Sequence, residues 1–159
     1  MLLWINSVSR MVRVCDMSGK EVTQWSHTLY TCTSNVLTIV SDQVVIADPP
    51  NNRITVYSLT GQILRHVTCS LLSNSNGAMC AVDDFSVLYS EYDSSKVFRV
   101  NITTGHVMWI CSDIVNPQGI TCFSRRYALV ASYNCNRVMV LDINTGKYLQ
   151  HFYYFNIVS

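Results

Sequence analysis

Four glycines, Gly19, Gly61, Gly105 and Gly146, recur at intervals of 42, 44 and 41 residues along a chain of 159. Each closes the same grammar: an apolar run, a polar turn, an alternating run, a glycine turn and a further run. The copies read QVVIADPPNNRITVYSLTGQILRHV over 43–67, SVLYSEYDSSKVFRVNITTGHVMWI over 86–110 and ALVASYNCNRVMVLDINTGKYLQHF over 128–152, with a fainter copy over 2–25. Superposing Arg53 on Arg137 places Ala47 on Ala131, Asp48 on Ser132, Asn52 on Asn136 and Ile54 on Val138; superposing it on Lys96 places Asp48 on Glu91 and Asn52 on Ser95. A period of about 40–50 residues restricts a chain to architectures made by stacking one supersecondary unit.

The unit is four short strands. Runs 36–40, 44–47, 54–57 and 62–67 form one set, 79–82, 87–89, 97–100 and 106–110 the next, and 120–123, 128–131, 138–141 and 147–152 the last. No stretch of helical period competes. Third and fourth strands alternate, whereas inner strands are almost continuously apolar, as sheets covered on both faces require. Runs 2–5, 11–15 and 20–25 match the second to fourth strands of the later copies, so the first copy lacks its inner strand. The sequence therefore predicts an all-β chain, a β-propeller of four-stranded antiparallel blades, three complete and one partial. It is read as one domain over 1–159, with blades about 1–26, 35–68, 77–111 and 118–152 and a tail over 153–159.

The pattern Val-x-x-Ala-Asp-x-x-Asn-x-Arg-Ile-x-Val with its following glycine resembles the NHL repeat. Ala47, Asp48, Asn52, Arg53, Ile54, Val56 and Gly61 carry it in one copy, and Gln118, Gly119, Ala131, Asn136, Arg137, Val138, Val140, Asp142 and Gly146 in another. Ser95 and Lys96 replace the Asn and Arg in the third. The broader group of six-bladed NHL-like or YWTD-like propellers is similar as well. The resemblance implies non-catalytic protein binding through a loop face, and, in tripartite-motif NHL proteins, substrate recruitment for ubiquitin transfer. It also implies two alternatives, RNA binding and a metal-dependent lyase or lactonase-like enzyme.

Fewer blades than such a ring needs leave two blade faces uncovered, and exposed apolar faces are liabilities or interfaces. The first expectation is that the chain is part of a longer propeller. The second is completion by another copy or subunit. In the third, 153–159 supplies the missing inner strand and closes four blades, within the 4–8 range of propellers.

Chemistry-bearing residues are sparse. Asp48, Glu91 and Asp93 fall beside Arg53, Lys96 and Arg137 on the rim made by second-to-third strand connections. These six are the candidate binding residues. A repeated pairing of acid and base that orders each turn is the preferred reading, because the same types recur copy by copy. Arg125, Arg126, Asp42, Asp83 and Asp84 fall on the opposite rim. His66 and His151 both stand five residues after a turn glycine, on strands that diverge from the axis, so no metal site is expected; no catalytic residue and no cofactor is expected either. The seven cysteines are odd in number, contain no Cys-x-x-Cys, and read as small buried hydrophobes, with Cys80 and Cys122 equivalent at three residues after a glycine. Asn101-Ile102-Thr103 is a lone glycosylation sequon of a kind expected by chance.

A net charge of +1 gives no field toward nucleic acid or anionic membrane. No apolar run reaches the roughly 18 residues that span a bilayer. The expected setting is cytoplasmic, with a protein partner.

Overall fold

A computed structural model describes residues 2–6, 11–26, 36–72 and 77–153. They form fifteen strands in four antiparallel sheets, each sheet a consecutive stretch of chain. The first blade contains β1 (Leu2–Asn6), β2 (Met11–Cys15) and β3 (Glu21–Ser26). The second contains β4 (Leu37–Val40), β5 (Gln43–Asp48), β6 (Arg53–Ser58) and β7 (Ile63–Thr68). In the third are β8 (Gly77–Asp83), β9 (Ser86–Glu91), β10 (Lys96–Asn101) and β11 (Val107–Cys111). The fourth holds β12 (Pro117–Cys122), β13 (Tyr127–Ser132), β14 (Arg137–Asp142) and β15 (Tyr148–Tyr153). This is the all-β propeller architecture that the repeat implies. The strand ends differ from the sequence reading by at most three residues, and β2 matches it at both ends. Of the tail 153–159, to which the sequence reading gives ring closure as one possibility, Tyr153 ends the outer strand β15 opposite Arg137, and 154–159 lie outside the described residues, as does His27.

Local chemistry explains why each hairpin turns where it does. Between third and fourth strands a side-chain acceptor folds back on the turn. Asp16 Oδ1 accepts the N–H of Ser18 and Lys20, Asn101 Oδ1 those of Thr103 and Thr104, and Asp142 Oδ1 those of Asn144 and Thr145. The glycine that follows has φ of +84, +87, +75 and +70° in successive copies, a region open to glycine at no steric cost. Every one of these hairpins then shifts register at the same point, after Val14, Val56, Arg99 and Val140. A bulge repeated at one position bends all four sheets alike.

Second-to-third strand connections use another device. In blades two and four a 3₁₀ turn, Pro49–Asn51 and Tyr133–Cys135, ends on Asn52 and Asn136 at φ 49 and 50°. Ser95 takes the same place in blade three at φ 53°. Asparagine tolerates this left-handed conformation better than most residues, which explains the Asn-Arg of the repeat.

Burial follows the blades. Val12, Val36, Ile54, Val56, Tyr57, Tyr89, Phe98 and Val100 belong to one cluster linking blades one to three. Leu88, Val97, Cys111, Ala128, Val130 and Leu141 form a second between blades three and four. Burying a large aliphatic or aromatic side chain contributes about 1.5–3 kcal/mol. Inner strands β4, β8 and β12 stand side by side about the axis.

Candidate functional site

The two rims use charge differently. On the rim of second-to-third strand turns, register opposes Asp48 to Arg53, Glu91 to Lys96 and Ser132 to Arg137 at the ends of their strand pairs. Asp48 is 1% exposed and its Oδ2 accepts Asn51 Nδ2 and Arg53 Nε, both at 2.8 Å, while its Oδ1 lacks a hydrogen-bond partner. Glu91 is buried and accepts the Ser94 hydroxyl; Asp93 is exposed. The Arg137 guanidinium lies over the Tyr153 ring at 4.8 Å. Lys96 is half-buried. Among these, the described Asp48–Arg53 contact orders the turn of its own blade. Neutral groups join blades three and four on this rim: Asn134 Nδ2 donates to Tyr92 Oη and to Asn116 Oδ1, and Asn116 Nδ2 donates to the Tyr92 carbonyl.

The opposite rim, of first-to-second and third-to-fourth strand turns, holds a cleft of about 430 Å³ lined by Val82, Asp83, Asp84, Arg99, Arg125 and Asn144. Arg99 is its centre. Its position is valine in the other three copies, Val14, Val56 and Val140. From β10 it donates Nη2 to Asp83 Oδ2 at 2.6 Å and Nε to Ser86 Oγ at 3.0 Å, and reaches the Ile143 carbonyl of blade four with Nη1 at 3.3 Å. Burial opposes the charge on Asp83, but the Ser86 hydroxyl, the Phe85 N–H and the Arg99 guanidinium outweigh it and hold the carboxyl below its ordinary value. Ser41 donates its hydroxyl to Asp84, tying blade two to the same cluster. Phe85 and Phe123, on neighbouring turns, are both exposed.

Behind this cleft the thiols of Cys80 on β8 and Cys122 on β12 meet at 3.6 Å across the blade junction. Their hydrogen bond, with burial, pushes Cys80 up; the same hydrogen bond draws Cys122 down against the opposing effect of burial, and Arg99 also favours the Cys122 thiolate. Cys69 and Cys111 are buried, and burial raises both. None of the six described cysteines is in a disulfide. His66 Nδ1 shares a hydrogen bond with Thr55 Oγ1, and the His151 ring stacks on Tyr148. Among the described residues, no three His, Cys, Asp or Glu side chains converge as a metal would require, and no helix is long and apolar enough to cross a membrane.

The six residues chosen from sequence thus lie at equivalent turns of successive blades, and none lines the cleft. Recurrence of residue types does not mark Arg99. Its departure from valine was the available signal.

No protein-family model matches the chain, and no curated protein matches it. Solved structures do. A catalytically inactive virginiamycin B lyase from Staphylococcus aureus, bound to quinupristin, aligns with TM-score 0.72 at 16% identity, over 98% of this chain and 52% of that one. BamB from Moraxella catarrhalis aligns with TM-score 0.61 at 18% identity, over 95% and 44%. The WD40 β-propeller domain of Doa1 aligns with TM-score 0.67 at 14% identity, over 91% and 48%. At such identities the likeness establishes the fold. The chain spans about half the length of these structures.

Proposed function

We propose that this chain is a non-catalytic protein-binding module, and that the rim around the Asp83–Arg99 cleft is the face it presents. One observation carries the reading: the residue that breaks the repeat, Arg99, is buried beneath a mixed-charge cleft, on a rim whose turns also carry the exposed Phe85 and Phe123. Arginine and aromatic anchors around a pocket are what protein interfaces concentrate. A surface alternating Asp84, Arg125 and Asn144 suits a partner of mixed charge better than a polyanion. On the NHL-like reading of the Asn-Arg motif, the partner is a protein recruited for ubiquitin transfer.

The test is comparative capture. The intact chain and a Phe85→Ala/Phe123→Ala variant are used as baits in parallel, with bound proteins quantified by mass spectrometry. Partners depleted at least several-fold by the rim variant, but not by Asp93→Asn on the other rim, support the reading. Equal recovery by both baits refutes it, as would salt-sensitive RNA binding that the rim variant leaves intact.

A further inference from the structure

Inner strands β8 and β12 bring two thiols together where blades three and four meet. Cys80 Sγ lies 3.6 Å from Cys122 Sγ, close enough for an S–H···S hydrogen bond, and both cysteines are free. Sulfur is not what the fold requires at these places. An irregularity between Pro117 and Gly119 sets Cys122 one ladder step beyond Cys80: Cys80 stands opposite Leu88, and Cys122 opposite Ala128, the counterpart of Val87. At the preceding junction the same two places hold Thr38, opposite Val45, and Ala81, opposite Val87. There the Thr38 hydroxyl accepts the Ala81 N–H at 3.2 Å. A hydroxyl and a methyl group serve one junction, and two thiols serve the next.

The two thiols also differ from Cys69 and Cys111, which are buried, in being only half-buried. Solvent-borne reagents can therefore reach them. Within the pair the roles are unequal. The Cys80 hydrogen bond favours a thiolate at Cys122, burial opposes it, Arg99 adds to it and Asp83 subtracts. Cys80, the donor, keeps its proton. A thiolate is the form of cysteine that reacts with peroxides, and a second thiol in contact captures the oxidised sulfur before it goes further.

We propose that Cys80 and Cys122 are a peroxide-sensitive dithiol, Cys122 attacking and Cys80 resolving, whose disulfide staples blade three to blade four behind the Arg99 cleft. First the Cys122 thiolate attacks one oxygen of hydrogen peroxide. The O–O bond breaks, hydroxide leaves, and the sulfur becomes a sulfenic acid. That step removes the negative sulfur that held the Cys80 proton. Cys80 then attacks the sulfenic sulfur: the S–S bond forms, the S–O bond breaks, and the departing hydroxyl takes the Cys80 proton to leave as water. The first hydroxide regains the proton that Cys122 had lost. Two thiols thus give up two electrons, and the peroxide is reduced to two waters. The device is independent of what the rim binds.

Peptide mapping of the full chain without reduction tests this. The reduced chain, freed of reductant, is treated with a few equivalents of hydrogen peroxide. It is then digested with chymotrypsin and Asp-N endoprotease, which cut between Cys69 and Cys80 at Leu71 and Leu72 and between Cys111 and Cys122 at Asp113. The expected product is an intramolecular Cys80–Cys122 disulfide, with two of the seven thiols lost and both restored by dithiothreitol. Its partners stand 42 residues apart, so the oxidised chain should melt roughly 5–10 °C above the reduced one. Cys80→Ser is expected to leave Cys122 as a sulfenic acid that dimedone traps, and Cys122→Ser to leave Cys80 unreacted, with circular dichroism checking that both are folded. The mapping of the native chain stands whether or not either variant folds. Disulfides between other pairs or between chains in place of this one, a Cys80 and Cys122 that stay reduced, dimedone on Cys80 in Cys122→Ser, or a melting temperature that does not rise would each overturn the proposal.

Discussion

The Asp48–Arg53 and Asp83–Arg99 pairs join the same two side-chain types at 2.8 and 2.6 Å, but they bury opposite partners. In the first the acid is inside, at 1% side-chain exposure against 32% for the base; in the second the base is inside, at 8% against 45%. The cost of breaking an ion pair depends on which charge is left behind. An exposed survivor is solvated, whereas a buried one is not. The first pair therefore holds its own turn together, and the second fixes a cation where blades three and four meet.

Arg53→Met is expected to have the largest effect, about 3 kcal/mol by urea denaturation, because it strands a buried carboxylate. Adding Asp48→Leu should recover most of that loss. If the single substitution proved neutral, the asymmetry between the pairs would be wrong.

Asp83→Asn comes next, at roughly 2 kcal/mol near neutral pH, since Arg99 keeps the Ser86 hydroxyl and the Ile143 carbonyl as neutral acceptors. Its pH dependence sharpens the point. The folded-state pKa of Asp83 is lowered, so its contribution is present above the unfolded value of about 3.9 and disappears as pH falls through the folded value. The native chain and Asp83→Asn should therefore converge in stability in acid; a gap that persists there would mean that the carboxylate is not its source.

Arg99→Met should cost less, about 1–2 kcal/mol, because Asp83 can turn to water. Smallest is Asp48→Asn, about 1 kcal/mol, which leaves a neutral acceptor for a half-exposed Arg53. Chemical unfolding of these two variants side by side orders the last terms.

Both the strands and the Asp48–Arg53 pair were legible in sequence for one reason: they lie within a single repeat. Asn52 and Asn136 announced their turns because few residues accept their backbone angles. The 3₁₀ geometry of Pro49–Asn51 and Tyr133–Cys135 was not legible, since a polar turn of that length can close in several ways. Contacts between blades were hidden more deeply. Arg99 meets Ile143 at a separation of 44 residues and Cys80 meets Cys122 at 42, and nothing near any of these side chains in sequence marks its partner. The equivalence of Cys80 and Cys122 was visible, but not that neighbouring inner strands would bring the thiols together. Arg99 is marked in the sequence by its departure from the valine of the other copies, not by recurrence.

Every ladder among the described residues joins strands consecutive in the chain. Local pairing of this kind closes quickly, so each sheet can form soon after its last strand leaves the ribosome. Side chains that reach the next sheet must wait for it. Arg99 is made 44 residues before Ile143, which at about 5–20 residues per second is a delay of roughly 2–9 seconds. During that interval the guanidinium has only Ser86 and Asp83 from its own sheet, so a nascent chain paused within blade four would hold blade three fully paired with its outward cation still in water.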